Sequence, residues 1–338
     1  MYGQYILMVL IGILLTGCKD DNSKAVVEDA VSGDTVLSVP KEDVSTSPSE
    51  PNSTPIEPNA LGNLVEIKIL PPEGQLSVPA NSQMKLRVIG YYDNGEEDLT
   101  EQAELRILDN VSNITLTEDN QVQAGVWDPL GAPYNNTRIE AEFGDIKAEL
   151  TVNVMEGVCE ETLTLAQVEA LNGACVMSYT YEGKEYVFTP REKFMDGLGY
   201  SASDIKENEG RTYGRIHNDD YPYALFRRDG KRVTWENYTQ DNNLYGQAER
   251  FCRDLAQMSF NNKDGWKMAN SEELENLLNH YVNNNLMSLG AIPLHYFSIW
   301  SDERFTNQYA SFTKNANNPS NKVGRHLFGK HAVICRSE

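Results

Sequence analysis

Glu272, Glu273 and Glu275 stand together in the stretch DGWKMANSEELENLLNHYV, residues 264–282. Neighbouring carboxylates can serve as general acid and base when an apolar cleft drives their pKa values apart. The surrounding residues give them a plainer task. Asn270 is a helix-capping type, and Glu273, three positions on, completes a capping box. Leu274, Leu277, Leu278 and Tyr281 then recur at helical spacing. Acids in a first turn meet the positive end of the helix dipole. The stretch therefore reads as a capped helix start rather than a catalytic pair. The five histidines, His217, His280, His295, His326 and His331, are scattered, with His326 and His331 the nearest to each other. No GxSxG, HExxH or phosphate-binding glycine loop occurs, and no CxxC pair offers a thiolate zinc site. The expectation is a protein with no catalytic residue, no metal and no cofactor.

A different chemistry gathers at the C-terminus. From Arg304 to Ser337 there are six basic residues and no acid, with Phe305, Tyr309, Phe312 and Phe328 among them. The polar stretch TKNANNPSNKVGRHLFGK (313–330) reads as a loop, and loops on a rigid scaffold commonly carry recognition. Arg304, Lys314, Lys322, Arg325 and Lys330 are the candidate ligand-binding residues. Their partner would be anionic, either an acidic glycan or an acidic protein patch. The chain as a whole has 50 acidic and 29 basic side chains, a net charge of -21, which excludes a general nucleic-acid binder. The acidity lies upstream: residues 19–60 carry 9 acids and 3 bases, residues 241–338 carry 10 of each.

These side chains need elements to hold them. GQAERFCRDLAQM places Ala248, Phe251, Cys252 and Leu255 on one helical stripe, so Cys252 faces a core. YFSIWSDE, YASFT and HAVICRSE read as short strands, the last ending at Cys335. A bond between Cys252 and Cys335 would close a loop of 83 residues, worth about 4 kcal/mol in the chain-entropy account. YPYALFRRDGKRVTW (221–235) reads as a hairpin turning at Asp229-Gly230. Upstream, Cys159 and Cys175 bracket EETLTLAQVEALNGA, a short helix with Leu165, Val168 and Leu171 on one face. A bond between them would staple that helix to its neighbours. EYVFTP reads as a strand and GLGYSASDIKENEG as a loop.

The front of the chain differs in kind. Residues 6–15, ILMVLIGILL, are too short to span a bilayer and suit a signal-peptide core. Leu15-Thr16-Gly17-Cys18 resembles the bacterial lipobox, which implies that Cys18 is lipidated (palmitate included) and anchors the chain to a membrane. Export permits disulfides among the other four cysteines. Residues 19–60 are rich in Ser, Pro, Asp and Glu and read as a disordered acidic stalk. In residues 61–155, apolar residues alternate: Val65, Ile67 and Ile69, then Leu86 and Val88, Leu105 and Ile107, Ile139, Ala141 and Phe143, and the run Ile146 to Val154. About seven short strands with turns at Asp93-Asn94-Gly95 and Gly144-Asp145 fit a β-sandwich. The layout resembles the bacterial immunoglobulin-like domains.

The order of a helix with Cys252, Trp266-Lys267-Met268, the Glu273-Leu274 helix, Trp300-Ser301 and a terminal Cys335 is more specific. It resembles the bacterial C-type-lectin-like domain at the ends of intimin, invasin and collagen-like adhesins, with Ala269 where that family has proline. Trp266 and Trp300 are then core residues. In animal C-type lectins a Glu-Pro-Asn loop and a Trp-Asn-Asp strand bind calcium and sugar. Glu50-Pro51-Asn52 and Glu57-Pro58-Asn59 fall in the stalk, and Ser301 replaces the strand asparagine, so calcium is not expected. The resemblance implies a multidomain chain, an all-β Ig-like sandwich followed by an α+β C-type-lectin-like domain. Its parts would be a signal peptide with lipobox (1–18), the stalk (19–60), the Ig-like domain (61–155), a disulfide-stapled connecting region (156–214) and the lectin-like domain (215–338). The implied role is adhesion or receptor binding by a lipid-anchored protein of the outer membrane with its tip exposed. The alternative is a structural or assembly factor docking to another envelope protein in the periplasm.

Overall fold

The computed structural model describes residues 61–71, 77–110, 112–128, 135–159, 174–217, 222–230, 246–284, 298–304, 310–315, 318–326 and 328–338. The expected signal peptide with Cys18, the expected stalk, the helix expected between Cys159 and Cys175, and His295 lie outside them. Among the described residues, no helix is long and apolar enough to cross a membrane.

Residues 64–155 form ten strands: β1 (Leu64–Leu70), β2 (Ser77–Pro79), β3 (Gln83–Lys85), β4 (Arg87–Tyr92), β5 (Gly95–Asp98), β6 (Glu104–Ile107), β7 (Ile114–Leu116), β8 (Gln121–Ala124), β9 (Asn136–Phe143) and β10 (Ile146–Met155). They pair as β1-β4-β5, β2-β10-β9-β6 and β3-β8-β7. Alternation puts Ile67, Ile69, Val78, Leu86, Val88, Ile139, Ala141, Val152 and Val154 into one core, as period two requires. Val65 departs from its alternation with Ile67 and Ile69. The β1–β4 register shifts between Leu64 and Glu66, and Val65 is left 63% exposed. Among the described residues ten strands appear where about seven were expected, in part because Asn81, in the left-handed region at φ 57°, separates β2 from β3. Gly144 takes φ +60° in the two-residue turn between β9 and β10, as the twist of a tight hairpin favours.

The rest of the described chain forms a second module: β11 (Ser178–Tyr181), β12 (Lys184–Val187), α1 (Glu192–Gly197), β13 (Ser201–Ala202), β14 (Thr212–Tyr213), β15 (Arg215–His217), β16 (Tyr223–Leu225), α2 (Gln247–Gln257), β17 (Lys267–Met268), α3 (Ser271–Asn283), β18 (Ser298–Arg304), β19 (Ala310–Asn315), β20 (Asn318–His326), β21 (Ala332–Val333) and β22 (Cys335–Arg336). One sheet runs β11-β12-β22-β17 and another β20-β19-β18-β21. β18 lies between two cores, because successive strand residues face opposite ways. Trp300 packs with Phe194, Phe226, Phe251 and Cys252. Ile299 packs with Leu274, Leu277, Leu278 and Tyr281. Residues 176–213 contribute Val187, Phe194, Tyr200 and Tyr213 to the same core as Phe226 and Trp300. The core therefore runs across the boundary drawn at 214/215 from the sequence. The hairpin expected over 221–235 falls partly outside the described residues, which here are 222–230. Within them, β16 pairs antiparallel with β15, Ile216 opposite Ala224.

The two modules are joined by backbone as well as by chain. Gln83 N donates to the Met258 carbonyl at 2.7 Å, and Asn262 N donates to the Asn81 carbonyl at 2.7 Å. Asn261 N donates to Ser82 Oγ at 3.3 Å. Ser259, Asn261 and Asn262 all have positive φ, at 42°, 54° and 55°, so this connection is built from residues that leave the ordinary helical and strand regions.

Cys252 is joined to Cys335, which ties α2 to the last strand, and Cys159 is joined to Cys175. The double substitution Cys252→Ala/Cys335→Ala should lower the second module's stability by about 4 kcal/mol. Denaturant unfolding followed by tryptophan fluorescence checks this, because Trp266 and Trp300 are both buried there.

Candidate ligand-binding surface

Glu273 settles what the acids of α3 do. Its backbone N–H reaches Asn270 Oδ1 at 2.9 Å, and its own Oε2 accepts the Asn270 N–H at 2.9 Å, a reciprocal capping box. The same carboxylate accepts Lys184 Nζ at 2.6 Å and pairs with Arg336 Nε at 2.9 Å. Burial opposes its charge, but the Lys184 and Asn270 hydrogen bonds and the Arg336 charge outweigh burial and hold the carboxyl below its ordinary range. The group thus joins α3 to β12 and β22.

A polar assembly on α2 was not foreseen. Gln247, Arg250 and Asp254 are buried along with the apolar stripe of Ala248, Phe251, Cys252 and Leu255. A buried polar group requires partners, and two segments supply them. Asp254 Oδ2 accepts the Tyr200 hydroxyl at 2.7 Å and Arg211 Nε at 3.1 Å. Gln247 accepts the Arg227 N–H at 3.0 Å and donates to the Ser203 carbonyl at 2.8 Å. Arg250 donates to the Gly210 carbonyl at 2.9 Å and to Asn208 Oδ1 at 2.7 Å. Arg227 grips Asp229 through two bonds of 2.7 Å and also reaches Asp204 Oδ1 at 2.8 Å. Arg228, 1% exposed, pairs with Glu249 at 2.6 Å and donates to the Ser301 carbonyl. Gly246 lets α2 start against this arginine, since a Cβ there would lie 2.4 Å from the Arg228 backbone. Residues 198–212 and 226–229 are thereby stapled to α2 and to β18.

The candidate cations divide. The backbone register sets Lys314 opposite Lys322 and Arg325 opposite Ser311, while Arg304 also lies opposite Ser311. Arg325 is exposed. Lys330 is paired with Asp204, which fastens the segment after β20 to the stapled loops. In that segment Phe328 is 56% exposed and stacks on His326, the ring centroids 5.0 Å apart and the planes 6° apart. His331 sits edge-on to Trp300 at 4.5 Å. Burial and the charges of Arg325 and Arg215 lower its pKa to about 4. The sequence signal for the stapled loops was present in the Arg227-Arg228-Asp229 triplet and in the polar stripe at 247, 250 and 254. The partners stand too far along the chain to be paired by spacing.

No family model matches the chain, and no curated protein matches it. Among solved structures it is similar to the Yersinia pseudotuberculosis adhesin InvE, at 11% identity and a TM-score of 0.30, with 81% of this chain and 70% of that chain covered. A likeness so distant transfers no residue role.

Two pH-dependent outcomes follow. Glu273→Gln should cost about 2 kcal/mol at neutral pH, the scale of a hydrogen bond to a charged partner. Because the folded carboxyl titrates below its ordinary value, that contribution is present above the unfolded pKa and fades as acid protonates the folded group. Thermal unfolding of both proteins across pH 3–7 should show their difference shrinking at the acid end. His331 acts in the same pH direction for the opposite chemical reason. Its neutral form is favoured in the fold, so stability falls as pH drops from the ordinary histidine value of about 6.5 towards 4. His331→Gln should flatten the melting temperature over that interval.

Proposed function

We propose that this chain is an anchored cell-surface binding protein whose C-terminal module recognises an anionic glycan or protein ligand. The observation that carries the reading is the fastened loop face. Segments 198–212, 226–229 and 328–331 are tied to one another and to α2 by Arg211, Arg227, Arg250 and the Asp204–Lys330 pair. Ordered loops on a rigid scaffold bind with little ordering cost. Arg325 is exposed beside them in a chain of net charge -21, a local reversal of sign that favours an acidic partner.

A binding role also fits how the acids are spent. Glu273 and Asp254 are committed to capping and ion pairs rather than held apart in a cleft. In this reading the strands of 64–155 are a spacer of immunoglobulin-like kind. The C-terminal module is a lectin-like tip, as its Trp266, Glu273, Trp300 and Cys335 pattern resembles. Cys18 carries the lipid, and residues 19–60 hold the tip away from the outer membrane.

Protease treatment of intact cells, followed with an antibody to residues 215–338, tests the placement. Loss of most of the signal on whole cells is the expected outcome. Full protection, with loss only after the outer membrane is opened, would overturn surface binding and leave a periplasmic assembly role.

A further inference from the structure

Two of the large apolar side chains left most exposed among the described residues, Ile205 at 57% and Phe328 at 56%, belong to segments that one ion pair joins. Ile205 follows Asp204, and Asp204 holds Lys330, two residues beyond Phe328. The aromatic ring is not loose. It stacks on His326 with near-parallel planes. Two exposed cations belong to the same region: Arg325 adjoins His326 in the chain, and Arg215 lies opposite Leu225, next to the Phe226 that bridges to His331. His331 in turn is fixed by backbone bonds in both directions with Phe226, at 2.9 and 3.1 Å. The result is an open aromatic stack on a segment that Lys330 ties to the one carrying Ile205, with Arg325 next to His326 in the chain.

We infer that Arg215, Arg325, His326 and Phe328 form a binding site for an acidic saccharide. The inference rests on the binding role proposed above and gives it a site and a ligand class. A sugar ring presents polarised C–H groups that settle on the negative face of an aromatic ring. Guanidinium groups take the sulfate or carboxylate through paired, charge-assisted hydrogen bonds. The size of the patch favours a saccharide over a protein. A stable protein interface needs about 800 Å² on each partner, whereas one aromatic stack with two cations matches one or two sugar rings. Lys330 acts at one remove, holding the loop through Asp204.

The test is direct binding of the purified full chain to a heparin octasaccharide, with the desulfated octasaccharide and an acidic protein as comparisons. Phe328→Ala and Arg215→Gln/Arg325→Gln should each weaken binding of the sulfated sugar by roughly tenfold, on the scale of single stacking and charge-assisted contacts. Lys68→Gln, a substitution in β1, should leave it unchanged, and all variants should melt within a degree or two of the parent. The arginine pair should also reduce the salt dependence of binding, whereas Phe328→Ala should not. Binding that survives both sets of substitutions would overturn this site while leaving a binding role intact. Binding of the acidic protein but not the sugar would overturn the ligand class. Failure of the parent chain to bind the octasaccharide, together with surface exposure on intact cells, would overturn this inference and not the cell-surface reading.

Discussion

A buried guanidinium cannot be left without partners, and much of the second module follows from that constraint. Arg211, Arg227, Arg228 and Arg250 are each no more than 9% exposed. Desolvating such a charge costs several kcal/mol unless hydrogen bonds and an opposite charge offset it. Asp254, Asp229 and Glu249 supply the charges, and backbone carbonyls at Leu198, Gly210 and Ser301 accept much of what remains. Leu198 follows α1 and Gly210 lies between β13 and β14, outside the strands, whereas Ser301 belongs to β18. At Leu198 and Gly210 the backbone is held by arginine donors, not by a ladder of strand hydrogen bonds. An arrangement of this kind contributes specificity of position more than net stability, because an apolar replacement of similar volume would also be stable.

The last strand does the complementary work in the apolar half. β22 has two residues, Cys335 and Arg336. Cys335 is bonded to Cys252 of α2, and Arg336 pairs with Glu273 of α3. β22 also lies between β12 and β17, with Val187 and Met268 both opposite Cys335. One strand thus holds both helices and two strands that are remote in sequence. A link near the end of the chain closes a long loop of the unfolded state, where a cross-link has its largest entropic effect.

The regular elements were legible because their signals are local. The apolar stripes of α2 and α3 and the capping box at Asn270 and Glu273 are read within a few residues, and the structure shows each of them. Alternation revealed the strands of 64–155 but could not locate the register shift that exposes Val65. The hairpin read over 221–235 runs past residue 230 and out of the described residues. Within them, Asp229 is held by Arg227, and β16 pairs with β15. Least legible was the polar assembly, since Arg211 and Asp254 are 43 residues apart and Arg228 and Ser301 are 73 apart. The polar stripe of α2 at 247, 250 and 254 is buried. Its burial depends on segments that periodicity cannot bring together.

This division bears on where recognition can reside. The acids of α3 read as a capped helix start, and Glu273 among them is an attachment between elements. The groups still free to meet a partner lie at the rim, where Ile205, Arg215, Arg325 and Phe328 are exposed above loops that the buried arginines hold. A rim of this kind can change its side chains with little effect on the fold, because exposed substitutions away from such networks cost little. The network beneath has no such freedom, since removing one partner strands a buried charge. In the proposed binding role, ligand preference and loop position are therefore carried by different residues. A protein that must keep its fold while its ligand changes requires that separation.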